Sequence, residues 1–326
     1  MKILRIGDPH AKVNNLEEMR RLFAFVETQA KENKVDRIEL LGDLFHSHAV
    51  LRLEVQEFWL NCLSRLNKIC ETVVLVGNHD LSGDYGSNFS SLSVFSLLEN
   101  KNLIIIEKPQ CLGYVGYIPY THENELFIRH ANELRNNGAK ILVCHQTFQG
   151  SRYESGIYAP DGIPTGDWSK KYTHIISGHI HLHQKFENVI YPGTPRWDST
   201  ADANQKKGLW IYTHSDLDGS IEKSEFITTE NICIPILEFE YYEGKEEPKI
   251  PENSKSSIIL IGSSEWIKKE KLKFKNKASI KTKFTDAKKS ENRKTGKGLE
   301  DFIKNIYNTN SNKDALLKVA KELGIV

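Results

Sequence analysis

The stretch Arg37-Ile38-Glu39-Leu40-Leu41-Gly42-Asp43-Leu44-Phe45-His46 joins a short apolar run to a glycine turn that carries an acid and a histidine. Its first half, Arg37–Leu41, reads as a strand. The same layout recurs along the chain. Lys2–Ile6 leads into Gly7-Asp8-Pro9-His10, and Val73–Val76 leads into Gly77-Asn78-His79-Asp80. Lys140–Cys144 leads into His145, and His174–Ser177 leads into Gly178-His179-Ile180-His181. Open α/β sheets bind ligands beyond the carboxyl ends of their strands. Five such segments therefore gather their side chains at one end of a sheet. A lone Gly-Asp is usually only a turn, and a lone histidine after a strand is usually structural. Their repetition in order is what carries the signal.

Helical patterns fill the spaces between. Leu16, Met19, Phe23, Val26 and Ala30 recur at helical spacing, which predicts a helix from Leu16 to Glu32. Asn15 and Glu18 have the spacing of a capping box at its start. Leu51–Ile69 is a second amphipathic helix, and Leu103–Ile106 a further strand. Alternation of this kind predicts βαβ units. From Val189 to Thr229 the pattern is β-rich, with Asp216-Leu217-Asp218-Gly219 as a turn between strands. The main domain is expected over 1–229. A small α/β cap is expected over 230–285, from strands Ile232–Tyr242, Ser257–Gly262 and Ala278–Phe284 and a helix Ser264–Leu272. A Lys-rich linker, 286–298, precedes two short helices in 299–326. Leu299, Phe302, Ile303 and Ile306 stripe the first; Leu316, Leu317 and Leu323 stripe the second. They pack on the cap or wait for a partner chain.

Composition narrows the class. The chain has 326 residues, 39% hydrophobic and 27% charged, as a folded protein of more than one domain would. The net charge of +1 hides a segment, Lys268–Lys297, with 13 Lys or Arg and 3 acidic residues. That segment is either a solvated linker or an attractor for polyanions. Five scattered cysteines without a CxxC pair argue against a disulfide framework and for a reducing, cytoplasmic setting. No run is long and apolar enough for a membrane span.

The side chains at the strand ends have a common chemistry. Asp8 and His10 are two residues apart, as are His179 and His181, so in extended backbone each pair projects to one side. Asp8, His10, Asp43, Asn78, His145, His179 and His181 together offer two carboxylates, four imidazoles and an amide oxygen. That is too many donors for one metal and suitable for two. The absence of thiolate suits Mn2+, Fe2+ or Zn2+ better than Ca2+. Two ions about 3.5–4 Å apart need a bridging group, which a central Asp43 provides.

These segments (D-x-H, G-D, G-N-H-D, an isolated H, G-H-x-H) resemble the calcineurin-like metallophosphoesterase superfamily over residues 1 to about 200. The resemblance implies a β-sandwich flanked by helices, an α/β (α+β) fold. It implies that Asp8, His10, Asp43 and His181 hold one ion and Asp43, Asn78, His145 and His179 the other. It assigns His79 to the substrate phosphate and leaving oxygen, with Asp80 orienting His79. Protein phosphatases of this fold carry an arginine in G-D-x-x-D-R-G; here the run is Gly42-Asp43-Leu44-Phe45-His46-Ser47-His48. That variant resembles the SbcD-like double-strand-break repair nucleases, where a histidine at the place of His46 aids catalysis. Tyr191-Pro192-Gly193-Thr194-Pro195-Arg196 is similar to that family's P-G-[ST] turn. The cap and the C-terminal helices resemble the recombination endonuclease subunit of tailed phages. Ala11 and Lys12 depart from the usual bulky residue and glycine, without removing a ligand.

The resemblance implies a two-metal nuclease using Mn2+ ahead of Mg2+: a 3′-to-5′ exonuclease on duplex DNA and an endonuclease on single strands. It implies an SbcC-like coiled-coil ATPase bound by the C-terminal helices, and a homodimer within a heterotetramer formed through helices around Leu51–Asn67. The expected location is the cytoplasm, a host's if the chain is phage-encoded. Between the fourth and fifth motifs, the loop mixes Arg152, Lys170 and Lys171 with Tyr153, Tyr158 and Trp168. This loop either lines a DNA path or packs its own aromatics. His48, His122, His130, His174, His183 and His214 have no motif and read as structural or surface. One rival is a stand-alone phosphomonoesterase or cyclic-nucleotide phosphodiesterase, which has no need of a cap or helical pair. The other is a non-catalytic DNA-end-binding scaffold, against which the complete ligand set argues.

Overall fold

In the computed structural model, residues 1–48, 50–82, 89–97, 101–275 and 277–285 are described. The Lys-rich linker 286–298 and the stripes Leu299, Phe302, Ile303, Ile306, Leu316, Leu317 and Leu323 lie outside them.

The first strands, β1 (Lys2–Ile6), β2 (Arg37–Leu40), β3 (Glu71–Leu75) and β4 (Leu103–Ile106), run parallel. The second group is β5 (Gln110–Leu112), β6 (Val115–Ile118), β7 (Ile141–His145), β8 (His174–Gly178), β9 (Gln184–Phe186) and β10 (Val189–Tyr191). Then β11 (Gly208–His214) and β12 (Ile221–Thr228) return to the first sheet as an antiparallel pair beside β1. The result is two six-stranded sheets, ordered β12-β11-β1-β2-β3-β4 and β5-β6-β7-β8-β10-β9.

Side-chain alternation shows why the sheets stack. On β3, Val73 and Leu75 face the space between sheets while Val74 faces the helices. On β7, Ile141 and Val143 face inward, and Leu142 and Cys144 face the other way. Each sheet is thus apolar on both faces, the mark of strands that must be covered on both sides. Helices α1 (Leu16–Glu32) and α2 (Leu53–Leu66) cover the first sheet, and α3 (Asn124–Asn136) covers the second. The expected helix-flanked β-sandwich is the one found.

Three local expectations fail. The first strand of the cap starts at Ile236, not Ile232. The second helix starts at Leu53, not Leu51. The capping box does not form: Asn15 lies in a short 3-10 turn, with Nδ2 donating to His10 O at 3.0 Å and Oδ1 accepting from Lys12 N at 2.9 Å. Glu18 instead accepts from Arg196 Nε at 3.1 Å and Ile234 N at 2.8 Å. A long-range buried ion pair took the side chain that local spacing assigned to a cap.

Contacts divide the chain into two compact units, 1–239 with 249–257 and 240–248 with 258 onward. The division falls inside β13 (Ile236–Tyr242). This strand forms a three-stranded sheet, β13-β14-β15, with β14 (Lys255–Gly262) and β15 (Ser279–Phe284). Between the last two runs α4 (Ser264–Phe274), capped by Ser263 Oγ, which accepts from Trp266 N. Tyr241 packs edge-on against Trp266 and Phe274. The basic run from Lys268 to Lys283 therefore lies on a helix and a strand. Part of its charge is paired, Lys273 with Glu270 and Glu247, and Lys283 with Glu240.

Candidate metal centre

The strand ends converge because their backbones turn sharply. His10, Asp43 and His179 have φ of 46°, 51° and 79°. Left-handed backbone is uncommon outside glycine, and where it gathers it signals a site that the surroundings hold in place. Gly42, at φ 105°, precedes Asp43; a Cβ there would overlap the His145 ring, and one on Gly77 would overlap the Asp43 carboxylate. Both glycines are what allow β2, β3 and β7 to close on one point.

Around that point the seven donors meet. His10 Nε2 lies 3.1 Å from His181 Nε2 and 3.7 Å from Asp43 Oδ2. His145 Nε2 lies 3.4 Å from Asp43 Oδ2 and 3.0 Å from Asn78 Oδ1. His179 Nδ1 lies 2.8 Å from Asn78 Oδ1, and its backbone N donates to Asp8 Oδ1 at 2.9 Å. His145 Nδ1 is 2.7 Å from Leu41 O. A carbonyl only accepts, so that nitrogen carries a proton and Nε2 is the one turned toward the other donors. Ligand atoms of His10, Asp43 and His79 fall within 4.8 Å of one another, as do those of Asp43, His145 and His179. Asp43 belongs to both groups, and His79 stands in the first of them.

The electrostatics fit divalent ions. Asp8, His10, Asp43 and His145 are almost wholly buried. Burial alone would raise the Asp43 carboxyl, but His145 and His10 outweigh it and hold it far below the carboxylate range. Burial raises Asp8. Burial lowers His179 to about 3, with the His145 charge acting the same way. Burial works against a charged His145 too, yet Asp43 and Asp8 lift it to about 9. Among the described residues, Asp8 Oδ2 and His10 Nδ1 are buried without a hydrogen-bond partner. An oxygen-and-nitrogen donor set with an orphaned carboxylate oxygen is short of cationic charge, and divalent ions supply it.

His79 stands beside this set. Its backbone N donates to Asp43 Oδ1 at 2.8 Å, and its Nδ1 faces His46 O at 2.7 Å, leaving Nε2 free. The Asp80 side chain does not orient this ring directly, contrary to expectation. It is fully buried and spends its oxygens on Phe45 N at 3.1 Å and Gly77 N at 3.0 Å. Asp80 ties the second motif to the third. Asp80→Ala is therefore expected to destabilise the fold by about 1–3 kcal/mol for each amide left unpartnered. Urea denaturation measures this, and a loss below about 1 kcal/mol would contradict it.

Sequence reading missed several neighbours. His48 lies flat on His79, with ring centroids 4.1 Å apart, and its Nδ1 donates to Asn78 O at 3.0 Å. The spacing His46-Ser47-His48 repeats the two-residue interval of Asp8/His10 and carried the clue. Asp198 binds Arg196 Nη1 at 2.6 Å and Lys12 Nζ at 3.0 Å, with His46 Nδ1 3.9 Å away. Glu154 Oε1 accepts from His181 N at 2.7 Å, and buried Lys207 donates to His181 O at 2.9 Å. No local period links these residues to the motifs.

Of the loop cations, Arg152 lies over the exposed Tyr158 ring at 4.4 Å, two residues from Glu154. Lys170 pairs with Asp167, and Lys171 donates to Asn132 on α3. Trp168 packs on Phe127 and Phe148. The loop thus divides: its half-buried tryptophan packs against the core, and its Arg152–Tyr158 pair is surface.

Residues 1–183 match the family described as calcineurin-like phosphoesterase. The phosphoesterase named 244L of Invertebrate iridescent virus 6 is 32% identical over 205 residues, covering 59% of this chain and 69% of that protein. Phosphoesterase 078R of Invertebrate iridescent virus 3 is 28% identical over 204 residues, covering 60% and 57%. Exonuclease subunit 1 of Enterobacteria phage T4 is 25% identical over 346 residues, covering 99% and 98%. The match over 1–183 takes in every donor from Asp8 to His181, and the chain belongs to the calcineurin-like phosphoesterase family.

Proposed function

We propose that this chain is the nuclease subunit of a DNA recombination and repair complex, cutting phosphodiesters with two divalent ions. The observation that carries the reading is the likeness to an exonuclease subunit across 99% of the chain. Asp8, His10, Asp43 and His181 would hold one ion, and Asp43, Asn78, His145 and His179 the other. When bound, such ions acidify water and neutralise charge on the phosphate. Mn2+ suits the mixed imidazole and carboxylate set ahead of Mg2+. The chain's own groups do the rest. His79, its Nδ1 held by His46 O, would turn a protonated Nε2 to the phosphate and the leaving oxygen. His46, half-buried between His79 and Asp198, lines the same edge. Asp80 holds their two loops at fixed spacing, and the Arg152–Tyr158 pair offers a cation and an aromatic face to the strand.

The expected activities are 3′-to-5′ exonuclease on duplex DNA and endonuclease on single strands, with an SbcC-like ATPase bound by 299–326. The setting is the cytoplasm of a host cell; no helix of the described residues is long and apolar enough to cross a membrane. A homodimer through α2 fits the exposed Leu53 and Leu60, which with Val94 line a cavity of about 340 Å3. Leu60→Asp is expected to convert the dimer to a monomer, read by light scattering after size exclusion; an unchanged mass would remove α2 from the interface.

The deciding assay sets linear duplex and single-stranded DNA beside p-nitrophenyl phosphate and a cyclic nucleotide, with Mn2+ or Mg2+. DNA cleavage that is lost in His79→Ala supports the reading. Turnover of the small esters alone favours a stand-alone phosphomonoesterase or cyclic-nucleotide phosphodiesterase. If an SbcC-like ATPase is added and nothing is cut, the end-binding scaffold takes its place.

A further inference from the structure

A cavity of about 580 Å3 opens beside the centre, walled by Val76, Leu81, Pro109, Pro119, Tyr120 and Leu126. Its size is that of a small-ligand site, about 300–1,000 Å3. Tyr120 belongs to the cavity and to the edge of the centre alike. Its ring centroid is 6.1 Å from His179 and 6.3 Å from His145. The loop that carries it follows β6, at the sheet end where ligands gather. That loop is braced. Tyr120 N donates to Val76 O at 2.9 Å, Gln146 Nε2 to Thr121 O at 2.7 Å, and Thr121 Oγ1 to Pro119 O at 3.0 Å. An aromatic wall therefore stands at a fixed distance from the metal donors.

Charge says what enters. Among the described residues the lining holds the carboxylates Glu107 and Glu123 and the imidazoles His122 and His130 against a single lysine, Lys108, and no arginine, with one Glu107 oxygen already accepting from Ser90 and Ser93. Such a pocket is a poor phosphate site. An incoming phosphate would go to the centre, where the ions would be held. A flat, uncharged heterocycle with N–H groups suits apolar walls, a tyrosine face and carboxylate acceptors together.

We propose that this cavity receives the base of the nucleotide whose phosphate is being cut, stacked on Tyr120. The proposal rests on the nuclease reading and adds a base subsite to it. The base would align the phosphate without reading its identity, because every base presents a π-face.

The test fills the pocket from the wall away from the centre. Leu126→Trp is compared with the unaltered chain on a single-stranded oligonucleotide and on bis(p-nitrophenyl) phosphate, a diester without a base. The variant is expected to raise KM for the oligonucleotide about tenfold, in the range of one lost base stack. Turnover of the small diester should not change, and an oligonucleotide lacking the base at the cut should be split alike by both proteins. Tyr120→Phe, which keeps the π-face, should keep the oligonucleotide KM of the unaltered chain. Equal losses on both substrates would overturn the proposal, because the wall would then act only through the centre; so would an unchanged oligonucleotide KM. If the small diester is split and DNA is not, the nuclease reading fails by itself. The cavity is then judged by quenching of 2-aminopurine nucleotide fluorescence. Quenching lost in Leu126→Trp keeps the base site, and no quenching by the unaltered chain removes it.

Discussion

Asp43→Asn is expected to lower kcat/KM on any phosphodiester by about 10³-fold or more. In the proposed site this carboxylate would serve both ion positions, and the stabilisation that two ions lend a phosphodiester transition state is worth several kcal/mol, with each 1.4 kcal/mol a factor of ten. The amide keeps the shape, so His79 N can still donate to the remaining carbonyl as it does to Asp43 Oδ1 at 2.8 Å. What goes is the negative charge that His10 and His145 face at 3.7 and 3.4 Å. Activity alone would not separate lost metal from lost chemistry. Titration calorimetry does: the unaltered chain should take up two Mn2+ and the variant fewer, at weaker affinity. Two ions bound with unchanged affinity would remove Asp43 from the bridge. A circular dichroism spectrum that matches the unaltered chain guards against simple unfolding.

The sequence made the centre legible because its donors come in local packets. A strand that ends in a turn needs glycine, and the packets follow at once: Asp8 and His10, Asp43, Asn78 and His79, His145, His179 and His181. Their convergence follows from parallel strands sharing one carboxyl end. What links packets to one another was not legible. Arg196 reaches Glu18 across 178 positions, and Asp80 ties Phe45 to Gly77. Such contacts have no period to detect. Local spacing by itself assigns Glu18 to a helix cap and Asp80 to a brace on His79. His48 was set aside for want of a motif, although its spacing from His46 repeats the rule used elsewhere. In the second sheet, β5 has three residues, and α3 is polar on most of its surface. A three-residue strand is too short for a period to show, whereas α3 carries Phe127, Ala131 and Leu134 at helical spacing, a signal that was there to read.

The buried pair behind His181 supplies the largest expected change in stability. Lys207 is 2% exposed and Asp202 0%, with the ammonium on Asp202 Oδ1 at 2.6 Å and on His181 O at 2.9 Å. The other carboxylate oxygen accepts from Asp198 N at 3.0 Å and Ser199 N at 2.9 Å. Asp202→Asn keeps an acceptor for those amides and removes only the charge, leaving a buried cation unpaired. Breaking one side of a buried pair costs about 3–5 kcal/mol, which in a chain of this size lowers Tm by about 10 °C. Lys207→Met in the same protein should recover the greater part, because no buried charge then remains. The pH dependence has a definite sign. Burial already holds Lys207 below the ordinary lysine range, and Asp202 is what opposes it. Without Asp202 the folded state releases its proton more readily than the unfolded chain. The deficit should then be full at low pH and shrink as pH rises toward the ordinary lysine value of about 10.4. Thermal unfolding of the single and double variants across that range tests the argument. A single variant as stable as the parent, or a double variant no better than the single, would show that the ammonium is not held there as a charge. The centre registers the same change through His181, whose carbonyl loses a donor whenever Lys207 gives way. Mn2+ affinity should accordingly fall in Asp202→Asn by about 10–100-fold, the range seen when a group that orients a metal ligand is lost.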